Sequence, residues 1–197
     1  SGRDTVTLKS LGYDVVAFDA SEEIVKLASK KINHPILHMK IEDMNWKEEF
    51  DGVWAMASLL HLPKSEMAFN LQKIMDSLKP DGSFYLALKG GVGEGYDEKG
   101  RFFSYYSEDE VKGLFKSIGY SNVEFFESED SLKRDVSWIS ALIKKEPQLI
   151  LDKSKTSKPW VKIEKNLPIL FQAEYLSNRD KWVIETGSTN IPIPPAL

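Results

Sequence analysis

The stretch Gly12-Tyr13-Asp14-Val15-Val16-Ala17-Phe18-Asp19-Ala20-Ser21-Glu22-Glu23-Ile24-Val25-Lys26-Leu27-Ala28 decides the fold class. Residues 14–19 are a short, nearly continuous apolar run closed by a carboxylate, as expected of a strand buried on both faces of a parallel sheet. Ser21 follows as a helix N-cap, because its hydroxyl can accept from an orphan amide of the first turn. Glu22 and Glu23 fall where the helix dipole favours negative charge. Ile24, Leu27, Ala28 and Ile32 then recur near helical spacing, and Pro35 ends the helix ahead of a short strand at 36–39. Upstream, Val6, Leu8 and Leu11 belong to a helix that Gly12 closes.

Working outward, residues 50–57 read as the next strand, 58–64 as a loop, and 65–78 as a helix capped by Ser65. Lys79-Pro80-Asp81-Gly82 is a turn before a strand at 83–89, and Gly90-Gly91-Val92-Gly93-Glu94-Gly95 is a glycine-dense loop. Ser107-Glu108-Asp109-Glu110 has capping-box spacing and opens a helix ending near Gly119. Strands at 123–128 and 136–144, separated by a charged turn, are expected to pair antiparallel. The alternation predicts an α/β, Rossmann-like, doubly wound and mostly parallel sheet with an antiparallel terminal strand. Residues 1–146 form that domain, polar residues 147–158 a linker, and residues 159–197 a small C-terminal extension. The extension offers strand candidates at 167–176 and 182–186 around the turn-like Ser177-Asn178-Arg179-Asp180. The proline-rich Ile191-Pro192-Ile193-Pro194-Pro195 is expected to be extended.

Composition narrows the function classes. The chain has 197 residues, with 42% hydrophobic and 28% charged, so general disorder and coiled-coil classes are excluded. A net charge of -4 leaves no footprint for generic nucleic-acid or anionic-membrane binding. The absence of cysteine removes disulfides, thiolate nucleophiles and cysteine-rich zinc sites together. No apolar run approaches the roughly 18 residues of a membrane span, and the first residues carry no signal-peptide pattern, so a cytoplasmic location is the expectation.

The candidate chemistry begins with Ser1-Gly2-Arg3-Asp4-Thr5 directly before a helix and Asp19 at the end of the next strand. In dinucleotide- and nucleoside-binding folds a glycine loop joins the first strand to its helix, and a carboxylate at the tip of the second accepts from ribose hydroxyls. The alternative is that Asp19 only starts the turn before Ser21. Ile41-Glu42-Asp43-Met44 could meet an adenine amine and flank its ring, or carry solvated loop charges. Ala55-Met56-Ala57-Ser58-Leu59-Leu60-His61 lies near the expected switch point. His61 is the candidate for acid-base or orienting work, with a packing role as the alternative. Lys89, Glu94, Arg101 and Tyr105 could line an acceptor pocket, or belong to a glycine-rich lid with a satisfied ion pair. His34 and His38 lack the helix that would align them, so no metal site is expected. Trp46, Trp54 and Trp138 read as core or rim residues.

As a set, SGRDT, GYDVVAFDAS, IEDM, FDGVWAMASLLHLP and SLKPDGSFYLALK resemble the class I S-adenosylmethionine-dependent methyltransferases over residues 1–146. KGGVGEG, RFFSYYSEDEV and DVSWISALIKK resemble a small-molecule branch often labelled tellurite-resistance-type. The resemblance implies S-adenosylmethionine as cofactor and a small-molecule acceptor. It implies Gly2 near the cofactor's amino-acid part and Asp19 and Ala20 at ribose. It also implies Glu42, Asp43 and Met44 around adenine, and Ala57 and Ser58 beside the methyl group. In the family a first strand and most of a glycine loop would precede Ser1. The expectation is therefore a gap at the centre of the sheet, or its filling by another segment such as 167–176. Two other readings are a nicotinamide-dependent oxidoreductase, which shares the logic of Asp19, and a noncatalytic binding or assembly module with residues 159–197 as the part that contacts a protein partner.

Overall fold

Residues 14–19 form the strand expected of them, and the rest of the sheet is laid out around it. The computed structural model describes residues 2–126, 136–146 and, for the backbone, 181–185. The elements run α1 (Arg3–Ser10), β1 (Asp14–Asp19), α2 (Glu22–Ile32), β2 (Leu37–His38), β3 (Phe50–Met56), α3 (Lys64–Ser77) and β4 (Leu78–Gly90). They continue with β5 (Glu94–Tyr96), β6 (Phe102–Tyr106), α4 (Glu108–Ser117), β7 (Val123–Phe126), β8 (Trp138–Lys144) and β9 (Lys181–Glu185). Single 3-10 turns stand at Ile41–Asp43 and Leu59–His61.

The strands β2, β1, β9, β3 and β4 lie side by side, and every pairing among them is parallel. β8 pairs antiparallel with β4 and with β7, which supplies the expected antiparallel element. This is a Rossmann-like α/β fold. The period of two along each strand sorts side chains to the two faces. Val15 and Ala17 pack with Ala28 and Ile36 beneath α1 and α2, while Phe18, Val53, Ala55, Phe84 and Leu86 pack with α3 and α4 residues such as Leu71, Ile74, Val111 and Phe115. Trp54 points the other way and stacks on Tyr85, with ring centroids 4.1 Å apart.

Local signals located most boundaries. Ser21 Oγ accepts from the Ile24 amide at 3.3 Å, and Ser107 with Glu110 forms a complete capping box. Five expectations are corrected. Ser65 is not the cap of α3: Pro63 holds that position without a side-chain cap bond, and the Lys64 amide donates instead to Glu94 Oε2 at 2.7 Å. The strand at 36–39 is confined to Leu37–His38. The glycine-dense loop is partly regular, because Glu94, Gly95 and Tyr96 pair antiparallel with Ser104, Phe103 and Phe102 to make a hairpin of β5 and β6.

The fourth correction concerns the centre of the sheet. It is not a gap: β9 sits there, with Asp14 to Phe18 opposite Lys181 to Glu185 on one side and Gly52, Val53 and Trp54 opposite Trp182, Val183 and Ile184 on the other. The filling segment is thus the second strand candidate of the extension; the first, 167–176, lies outside the described residues, as do the linker at 147–158 and the proline-rich end. A fifth correction concerns 79–82, expected as a turn before a strand at 83–89: these residues belong to β4 as an irregularity in its pairing, since Phe50 faces Leu78 but Gly52 faces Ser83, and Asp81 takes φ +66.

Candidate functional site

Parallel pairing brings the carboxyl ends of β1, β9, β3 and β4 to one edge, where open α/β sheets bind ligands. Asp19 stands at the tip of β1 and is only 7% exposed. Its Oδ1 accepts from the Ser21 amide at 2.8 Å, so the turn that starts α2 also fixes the carboxylate. The two readings offered for Asp19 are therefore compatible. Ala20 is exposed beside it, and its carbonyl accepts from His38 Nε2 at 3.1 Å. Gly2 caps α1 with φ +72, and a Cβ there would stand 2.7 Å from Ile32 Cγ2; backbone conformation and close packing both call for glycine.

Beyond β3, Ala57 is buried with φ +56, a left-handed conformation that costs a non-glycine residue on the order of 1 kcal/mol or more. Its amide is held by the Ala87 carbonyl at 3.0 Å, and buried Ser58 follows. On the β2 side, Glu42 and Asp43 are exposed, with Glu42 ion-paired to Lys40 at 3.3 Å. Met44 departs from expectation. Its side chain is buried in the core near Ile41 rather than presented to a ring, and its carbonyl accepts from Lys73 Nζ at 2.8 Å.

Residues Phe102–Tyr106 run alongside the end of β4, where Lys89 faces Tyr105. Lys89 Nζ lies 3.6 Å from the Phe103 ring centroid, and the His61 ring packs on the same phenyl at 4.7 Å. His61 Nδ1 is 2.7 Å from the Phe102 carbonyl, which can only accept, so that nitrogen carries the proton. Burial pushes the imidazole pKa below its ordinary value. The Phe102 carbonyl opposes that shift, Lys89 and Arg101 add to it, and Asp19 opposes it. These charges therefore act on one ring.

Tyr105 is half-buried, with its amide donating to the Gly93 carbonyl at 2.9 Å. Arg101 and Glu94 have structural partners. Arg101 grips Asp97 through Nε at 2.9 Å and Nη2 at 2.6 Å, holding that carboxyl at about 2, while its guanidinium lies 5.1 Å from the Phe103 centroid. Glu94 accepts from the Lys64 amide and from Ser104 Oγ at 3.2 Å, which ties the hairpin to the start of α3.

Residues 1–86 match a family described as "Methyltransferase domain". Over those residues the chain is similar to methyltransferase domains. Solved structures agree in fold. An N1-methyltransferase from Burkholderia thailandensis, bound to 1,6-didemethyltoxoflavin and S-adenosylhomocysteine, aligns at 20% identity over 74% of this chain and 67% of that one, with a TM-score of 0.63. A SAM-dependent methyltransferase from Methanosarcina mazei aligns at 16% identity over 75% and 89%, with a TM-score of 0.65. Another from Archaeoglobus fulgidus aligns at 12% over 73% and 81%, with a TM-score of 0.60. No curated protein matches the chain. At these identities the solved structures support the Rossmann-like fold described above.

Three features of this chain escape local sequence reading: the left-handed Ala57, the central position of β9, and Phe103 as the ring on which Lys89 and His61 meet. Only the last left a usable signal, in the β-prone Phe102-Phe103-Ser104-Tyr105-Tyr106 between Gly100 and Ser107. Among the described residues, no group of histidines and carboxylates is placed to hold a metal ion, and no helix is long and apolar enough to cross a membrane. His34 is engaged elsewhere, with Nε2 3.1 Å from the Val15 carbonyl and Nδ1 2.9 Å from Lys9 Nζ.

Proposed function

We propose that this methyltransferase methylates a small-molecule acceptor held between the carboxyl edge of the sheet and the β5–β6 hairpin. The observation that carries the reading is the stacking of Lys89 and His61 on Phe103, within electrostatic reach of buried Asp19. That arrangement joins a ribose-type carboxylate to a confined aromatic and cationic surface suited to a flat, polar molecule. The Burkholderia relative is a 1,6-didemethyltoxoflavin N1-methyltransferase.

The residues fit the cofactor. Asp19 offers an oriented acceptor for a vicinal diol, with Ala20 beside it, and Gly2 allows close backbone approach at the start of α1. Glu42 and Asp43, exposed after β2, would accept from an adenine amine, with Met44 beside them. Ala57 and Ser58 close the floor of the crevice. S-adenosylmethionine supplies an electrophilic methyl group, so the protein's contribution is chiefly proximity and alignment. Lys89 and Tyr105 orient the acceptor. His61, neutral and protonated on Nδ1, is the candidate to take the acceptor's proton. Arg101 and Glu94 hold the hairpin in position through their ion pair and amide contacts.

The test is label transfer from S-adenosylmethionine radioactive in its methyl group, offered with a small-molecule extract, unfolded protein or RNA. Label should appear in the small-molecule fraction. Label confined to protein or RNA would overturn the acceptor class.

A further inference from the structure

The strand at the middle of the sheet is also the last described strand in the chain. Its register aims it at the crevice. On one side the pairing ends with Phe18 opposite Glu185, one residue before Asp19; on the other, Trp54 faces Ile184, three residues before Ala57. The carboxyl end of β9 therefore stops between the residues assigned to ribose and those assigned to the methyl group. The sheet also changes direction there. From β1 the chain proceeds outward to β2, and from β3 it proceeds the opposite way to β4, so the switch point falls on β9 itself.

A central strand bonds to both neighbours, and its departure would leave the facing backbone groups of β1 and β3 unpaired. Val15, Val16 and Ala17 on β1, and Gly52 to Trp54 on β3, would become inner edges. The same departure would loosen the spacing of Asp19 and Ala57, because in the described sheet β1 and β3 do not pair with each other and each pairs with β9. A ligand that spans both tips can bind well only when that strand is seated.

We infer that cofactor binding and insertion of residues 181–185 form one linked equilibrium: the cofactor selects molecules with β9 seated, and thereby locks the strand in place. The inference rests on the assignment of Asp19 and Ala57 to the cofactor crevice. By linkage, a ligand at about 100 times its Kd suppresses an opening that abolishes its site by roughly 100-fold.

The test is amide hydrogen exchange on the full chain, with and without S-adenosylhomocysteine, beside calorimetric titration of the same sample. Exchange at 181–185 should slow by roughly 100-fold at saturation, with matching effects at 15–17 and 52–54. The β5 and β6 amides, at 94–96 and 102–106, should slow markedly less. Binding without a change at 181–185, or with slowing no greater there than in the hairpin, overturns the coupling and leaves the cofactor assignment standing. Absence of any calorimetric binding overturns both.

Discussion

The tip of β1 and the β5–β6 hairpin are the two halves of the proposed site and are built on opposite plans. At the tip, a single carboxylate is buried and fixed by its own turn, with Ser21 one residue beyond Ala20 supplying the amide. In the hairpin, charges are held by partners far away in sequence: Glu94 reaches the Lys64 amide, and Lys89 and His61 meet on Phe103. The first plan gives one rigid group whose removal cannot be compensated. The second spreads the work over a network in which each member carries less. The largest effect should therefore come from Asp19→Ala. Cofactor affinity should fall by about 1.5 to 3 kcal/mol, the range for hydrogen bonds to a charged group, while the helix start survives through Ser21. Calorimetry with S-adenosylhomocysteine measures it, and unchanged affinity in a folded variant would remove Asp19 from the site.

On the other side of the comparison, Lys89→Met keeps an apolar stem over Phe103 and deletes only the charge. Acceptor KM should rise about tenfold, equivalent to about 1.4 kcal/mol, with S-adenosylhomocysteine affinity unaltered. A variant that loses cofactor affinity and spares acceptor kinetics would show that the two regions do not divide the labour in this way.

The same contrast explains what the sequence made legible. β1, the Ser21 cap and the α4 capping box are specified by neighbours within a few residues, so composition and spacing reveal them. Asp19 belongs to this class, because a carboxylate ending an apolar run is visible without the fold. Glu94 does not: nothing near it announces that the Lys64 amide, 30 positions away, needs an acceptor. The α3 cap was misplaced at Ser65 because a long-range hydrogen bond from the Lys64 amide to Glu94 substitutes for a local cap. Met44 failed for a similar reason, since an apolar residue beside two acidic ones gives no sign of whether it turns to the core or to a ligand. The position of β9 is the extreme case, where strand propensity identified the segment and only tertiary pairing could place it.

If Glu94 serves the helix start, Glu94→Ala should act on stability and not on cofactor binding. Loss of a cap-type acceptor costs about 0.5 to 2 kcal/mol, and some of that will be recovered by water because the site is exposed. The denaturation midpoint should fall without a change in its slope. Full stability together with a large rise in acceptor KM would return Glu94 to the acceptor pocket.

His61 supplies the smallest and most diagnostic effect, because it belongs to both plans: it is buried against the hairpin yet feels Asp19. Burial, reinforced by Lys89 and Arg101, lowers its folded pKa below the ordinary 6.5. Between the folded value and 6.5 the unfolded chain binds a proton that the folded chain does not, so stability rises with pH across that window. It is lost as pH falls from 6.5 toward the folded pKa, and below that the contribution is flat. The sign is opposite to that of a histidine held by a carboxylate. Denaturant titrations from pH 5 to 7.5 should show this slope, limited to at most one proton, and His61→Asn should flatten it. A wild-type slope of the reverse sign would mean that Asp19, and not burial against Phe103, governs the ring, and the imidazole would then enter the reaction as an acid.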